Sequence, residues 1–347
     1  MNLYIMINYV ILAVLFTFLL TEAMSVFSFI YDKRSIPTVK KYLDPIWGVI
    51  GTFAVFFIVN TEVLYPSIMP SIDYLYVFPI LLATLLFIAR NLFLVFSEYI
   101  WKNAKFNQLM LVRIYSLVTF LVLLILISVF LSIISGMGAN STLTAFSVAG
   151  FLSNPAVPGF IAGAFLTVFG LSFAFYGLQK IKFLSPSFTL IGLLVFILSM
   201  RALNLTTNYI TYILAAVIFA LSVLYYLTGK ARREMIFIAV FLSILSINLL
   251  NYGKVFGEKV LASYLNNSAV SSAALAVTAV GGALLTAFLL FFLYMYRRSD
   301  NKEDYDENSN SGGNEISDKI GIANLYIMSN NNKEDGKEHK TRKNRKR

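Results

Sequence analysis

The chain has 347 residues, 58% of them hydrophobic and 13% charged, with a formal charge of +10, one histidine and no cysteine. Apolar runs of about twenty residues recur along it, which excludes an ordinary water-soluble fold. The runs are continuously apolar, which excludes a transmembrane barrel of alternating ten-residue strands, and the missing cysteines exclude disulfide staples.

Nine runs are predicted as membrane-spanning helices, at 4–31, 46–66, 72–96, 109–135, 156–178, 187–205, 208–228, 233–252 and 270–296. No basic residue precedes the first, and its apolar stretch is too long for the core of a signal peptide, so it is expected to remain as a span. The fourth and fifth runs are separated by an uncharged loop, 136–155, rich in Gly, Ser, Ala and Thr. The spans therefore divide as four, four and one. Gly163, Gly170 and Gly177 recur along the fifth run, and Ser271, Ser272, Ala273, Ala274, Gly281 and Gly282 crowd the ninth. Small residues let helices approach closely, so these stripes predict packing faces.

The loops at 32–45, 97–108, 179–186 and 229–232 carry Lys33, Arg34, Lys40, Lys41, Lys102, Lys105, Lys180, Lys182, Lys230 and Arg232. The opposite loops carry little beyond Lys254 and Lys259. The positive-inside rule places the N-terminus outside and the C-terminus inside. Three Asn-x-Ser/Thr sequons, at Asn140, Asn204 and Asn266, then fall on the outer side. The positive charge fits a lipid bilayer with an anionic inner leaflet and gives no reason to expect nucleic acid. Two parts are expected: a transmembrane domain over 1–298 and a cytoplasmic, mostly disordered charged tail over 299–347. The tail has too little apolar surface to offset its ordering entropy. It contains a short apolar island, Ile320 to Met328, and a basic end, Lys340 to Arg347.

Few ionisable groups lie inside the apolar runs. Glu22 in the first and Arg90 in the third sit at similar depth, roughly 9 to 14 Å from the inner ends of their spans at helical rise. Buried charges cost several kcal/mol unless paired or hydrated. Two readings follow: a structural salt bridge, or a hydrated path in which Glu22 relays protons with Arg90 as its electrostatic partner. Glu62 and Arg201 lie nearer the outer face, where interfacial water and snorkelling account for them. Trp47 and Tyr65 mark the two ends of the second span as belt residues, and a quinone or lipid could also lie against such rings. No phosphate-binding glycine loop, nucleophile elbow or zinc-binding histidine pair occurs, so no catalytic residue or metal ligand is assigned. The lone histidine, His339, sits in the tail, away from every span.

Four stretches carry a resemblance. Thr21-Glu22-Ala23-Met24 resembles a Thr-Asp-Gly-Phe motif in the first helix of subunit II of cytochrome bd-type quinol oxidases. Pro45-Ile46-Trp47 with Tyr65-Pro66 resembles that family's Pro-x-Trp and Trp-Pro at the same ungapped distance, which brings Arg90 onto the arginine ending its third helix. Leu152-Ser153-Asn154-Pro155, followed by Gly163 and Gly177, resembles its fifth helix. The stretch from Asn267-Ser268 to Met295-Tyr296 resembles its last. Gly48 and Ser25 stand where that family has further acids.

The resemblance implies two four-helix bundles plus one peripheral helix. It implies a heterodimer in the cell membrane, with haems and the quinol site chiefly in a partner subunit I and none held by this chain. Subunit II stabilises that complex and contributes to proton access. Read without the resemblance, the residues also suit a proton-coupled transporter or a membrane anchor or assembly protein. A transporter would be expected to show interrupted helices in matching halves.

Overall fold

The computed structural model describes residues 3–31, 36–96, 105–140, 143–178, 181–230, 232–258, 260–266, 268–288 and 291, with side chains for all of these except 26–31, 36–45, 47 and 105–109. The expected tail, 299–347, lies outside the described residues, as do Asn267 and the Trp47 side chain. The chain divides into a unit ending at Leu289 and a second beginning at Leu290.

Among the described residues the first unit contains ten α-helices: α1 (Leu3–Tyr31), α2 (Ile36–Leu64), α3 (Met69–Val95), α4 (Lys105–Ser135), α5 (Val148–Ser153), α6 (Ala156–Tyr176), α7 (Leu184–Ala202), α8 (Tyr209–Thr228), α9 (Arg233–Leu250) and α10 (Ala269–Phe288). Eight of them contain segments long and apolar enough to cross a membrane, and α2 adds a shorter apolar segment, Gly48–Leu64. The chain is a multi-pass helical membrane protein. Its exterior agrees: Tyr74, Phe78, Leu81, Leu85 and Ile88 all stand exposed on α3, as a bilayer requires and water would penalise.

Each of the nine predicted runs corresponds to a helix, with three differences. Helix α2 starts at Ile36, well ahead of its apolar run. The short α5 interrupts the 136–155 connection, capped by Ser147 Oγ, which accepts from the Gly150 amide at 3.0 Å. Gly177 is not part of a packing stripe. It ends α6 in the left-handed conformation (φ 71°), and its amide bonds back to the Phe173 carbonyl, the usual role of a glycine just past a helix.

Helices α1 to α4 form one group and α6 to α9 a second. Helix α1 is central, touching α2 and α4 in its own group and α6 and α9 across the divide. The tightest pair is α6–α7. A Cβ on Gly163 would lie 2.5 Å from the Phe196 amide nitrogen, one on Gly170 2.5 Å from that of Thr189, and one on Gly192 2.4 Å from that of Thr167. Backbone therefore meets backbone, and the Ser185 hydroxyl donates to the Gly170 carbonyl at 2.8 Å. Helix α10 lies along α2. Gly281 and Gly282 face Phe56 and Phe53, and Asn60 donates to Thr278 Oγ1 at 2.8 Å.

Helix α3 bends at Tyr76 (φ −107°, ψ 17°), three residues before Pro79, whose ring cannot continue the hydrogen-bond ladder. The bend leaves Tyr76 fully buried, its hydroxyl 2.8 Å from Ser132 Oγ on α4. At the end predicted to face outward, the turn at Val255–Glu258 caps α4: Phe256 and Gly257 donate to the Ile133 and Ile134 carbonyls at 2.6 and 3.0 Å. These carbonyls have no partner within their own helix.

Candidate functional site

The geometry of α1, α3 and α4 brings Glu22 and Arg90 into direct contact, with both side chains at 0% exposure. Arg90 donates from Nε to Glu22 Oε1 at 3.0 Å, and its Nη2 donates to the same oxygen. Nη1 donates to Asn91 Oδ1 at 3.0 Å. The guanidinium plane is flanked by the Phe87 ring, 4.7 Å from its carbon, and by the Tyr115 ring at 5.5 Å. A guanidinium stays charged under all ordinary conditions. Without a carboxylate it would be an isolated charge in apolar surroundings, so the pair is a condition for burying Arg90.

Both Arg90 donors converge on one carboxyl oxygen. The other, Glu22 Oε2, is buried without a hydrogen-bond partner among the described residues, and so is the Tyr115 hydroxyl. The two oxygens of Glu22 thus differ: Oε1 is tied to the cation, and Oε2 is bound by no described residue. Ser25 Oγ, one turn further along α1, lies 3.3 Å from Ser116 Oγ on α4. Thr17, Thr21 and Thr119 are buried nearby in sequence on the same two helices. From the second group, Tyr176 donates to the Thr21 carbonyl at 3.1 Å, so α6 anchors the turn that carries Glu22.

The other singled-out residues lie elsewhere. Glu62 is exposed near the end of α2 beside Asp73 of α3. Arg201 is exposed in the last turn of α7, where a cation complements the helix dipole. Tyr65 is only 2% exposed, packed with Ile5, Leu64, Ile68 and Met69, so its ring meets protein from this chain and not open bilayer. The sequence reading missed Tyr115, Ser116, Asn91 and Tyr176 as neighbours of the ion pair. Chains of this kind are full of tyrosines and hydroxyls, and no spacing marks these four.

Neither a family model nor a curated protein sequence matches the chain. A solved structure described as bd oxidase from Geobacillus thermodenitrificans does, with a TM-score of 0.61 and 19% sequence identity, over 84% of this chain and 98% of that one. What the two share is the fold.

Proposed function

We propose that the chain is a haem-free subunit II of a cytochrome bd-type quinol:oxygen oxidoreductase in the plasma membrane. Its role is to stabilise a haem-bearing subunit I and to contribute proton access through Glu22. What supports this reading is the conjunction of a fold shared with a bd oxidase chain over 98% of that chain and a sequence whose sole histidine, His339, lies outside every span. The sequence has no cysteine and its single histidine lies in the tail, which supports reading the chain as haem-free. No electron-transfer step is assigned to it.

In this reading the residues of this chain hold and move a proton. Arg90 fixes the Glu22 carboxyl through Oε1, Tyr176 holds its turn of α1, and Oε2 exchanges protons along the Ser25 and Ser116 hydroxyls with the end predicted to face the cytoplasm. Intramembrane carboxyls in proton relays work in this way.

The test begins with gentle purification of the tagged chain. Co-purification of a second membrane subunit with a bd-type haem spectrum is expected, and a colourless single-chain preparation from cells making that haem overturns the assembly. Glu22→Gln keeps an acceptor for Arg90 but removes the exchangeable proton. Quinol-driven oxygen consumption is then expected to fall by about a hundredfold or more, the lower end of what a positioned acid or base contributes, with haem content unchanged. Unchanged turnover refutes the proton role alone.

A further inference from the structure

Away from the ion pair, basic side chains gather where α7 and α9 begin and α8 ends, on the side predicted to face the cytoplasm. Lys182 lies just before α7, Lys230 and Arg232 in the link after α8, and Arg233 at the start of α9. The Lys182 ammonium stands 5.7 Å from the centre of the Tyr226 ring on α8. Lys230 and Arg232 follow that tyrosine closely, through a turn at Gly229 (φ 66°). Over 181–186 and 226–235 the sequence has one acid, Glu234.

Arg233 serves the fold. Its Nε donates to the Phe175 carbonyl at 2.8 Å, in the last turn of α6, where carbonyls lack a partner in their own helix. The other three cations meet no carboxylate among the described residues, and two of them lie back over apolar groups. Lys182 covers the Tyr226 ring within cation–π range, and Arg232 turns Nη1 to the Met235 sulfur, 3.8 Å away. Both of these partners are exposed, as are Phe183, Leu227 and Ile238 close to them in sequence.

The posture of Lys182 and Arg232 limits what meets them. Basic side chains that need only water extend towards it at a membrane edge. Here the charges rest instead on the border between exposed apolar side chains and the aqueous end of the helices, the level at which a lipid carries its phosphate. The apolar surface calls for hydrocarbon and the cations for negative charge. A zwitterionic headgroup would bring a cation of its own to the cluster, and a soluble anion would leave the apolar surface unmet.

We propose that the inner ends of α7, α8 and α9 form a binding site for an anionic glycerophospholipid. Lys182, Lys230 and Arg232 hold its phosphodiester, and its chains lie along Tyr226, Leu227 and Met235. The site is independent of the oxidase reading, since it rests on this chain's surface alone.

The test is thermal unfolding of the full-length protein, stripped of lipid in mild detergent with any subunits it retains, as dioleoylphosphatidylglycerol is added to the micelles. A midpoint that rises with the lipid is expected, with no rise from dioleoylphosphatidylcholine or from inorganic phosphate at equal concentration. Lys182→Gln and Arg232→Gln are each expected to weaken the apparent affinity about fivefold, the equivalent of ~1 kcal/mol for one basic residue near an anionic surface. Exchanges of this kind at the surface leave the fold intact. Arg113→Gln removes another exposed cation, from α4 near the same predicted face, and is expected to change nothing. The proposal is overturned by no midpoint shift, by an equal shift with phosphatidylcholine, or by a shift with phosphate alone. It is equally overturned if Arg113→Gln weakens binding as much as Lys182→Gln, since the response is then one of diffuse charge.

Discussion

Replacing Arg90 by methionine keeps most of its apolar stem and removes the charge that faces Glu22. In the native protein two guanidinium nitrogens share Glu22 Oε1, a third holds Asn91, and neither charged partner is exposed. At an effective dielectric of about 20 and roughly 4 Å between charge centres, the attraction is about 4 kcal/mol. That agrees with the ~3–5 kcal/mol lost when one member of a buried pair is removed and the other is left stranded. The double replacement Glu22→Leu with Arg90→Met strands nothing, and buried pairs exchanged for apolar residues are often neutral or better. The expected pattern is therefore strongly non-additive: the single variant loses about 3–5 kcal/mol and the double recovers most of it. Equilibrium unfolding in mixed micelles, followed by circular dichroism across a denaturing-detergent titration, measures both. A loss below about 1 kcal/mol for Arg90→Met, or a double variant as unstable as the sum of two damaging singles, would falsify the claim that Glu22 is a condition for burying Arg90.

Three further outcomes rest on separate parts of the fold. Gly192→Ala places a methyl 2.4 Å from the Thr167 amide nitrogen, and it is expected to cost about 1–3 kcal/mol or more by prising α7 from α6, read as a lowered unfolding midpoint. Gly136→Ala combines a left-handed φ of 75° with a Cβ 2.7 Å from the Phe256 carbonyl oxygen. A loss beyond the ~1–2 kcal/mol of the backbone term alone is expected, and full stability would show that the Val255–Glu258 turn moves aside freely. Thr278→Val removes the buried partner of Asn60 on α2. A smaller loss is expected, near the ~0.6 kcal/mol average for interhelical hydrogen bonds in membranes, read as a lowered unfolding midpoint.

The helices were legible where the physics is bulk solvation. Long apolar runs mark bilayer crossings, so nine runs lead to nine helices with small errors at their ends. The same signal is blind to helix outside the hydrocarbon: α2 continues back through Lys40, Lys41 and Asp44 to Ile36, because apolarity reports the membrane and not the backbone. Helix α5 is six residues long in a loop without charge, too short to show a period. The glycine stripe was partly legible. Gly163 and Gly170 pack against α7, but spacing alone could not separate them from Gly177, which ends its helix.

Glu22 and Arg90 drew notice because charges in such runs are rare and these two share a depth. The identity of their surroundings was hidden. Tyr115 and Ser116 come from α4 and Tyr176 from α6, and only the packing of three helices selects them from many like residues.

The position of Glu22 also bears on how the protein is made. Helix α1 leaves the ribosome before α3, so its carboxyl enters the bilayer before the cation it pairs with among the described residues exists. Placing such a group mid-membrane costs up to a few kcal/mol on insertion scales, offset by the apolar residues around it. Helix α1 must therefore be held by its hydrophobicity alone, or linger at the translocon, until Arg90 arrives. Its further neighbours, α4, α6 and α9, come later still. The helix at the centre of the finished protein is thus an early one to enter the membrane and a late one to be completed.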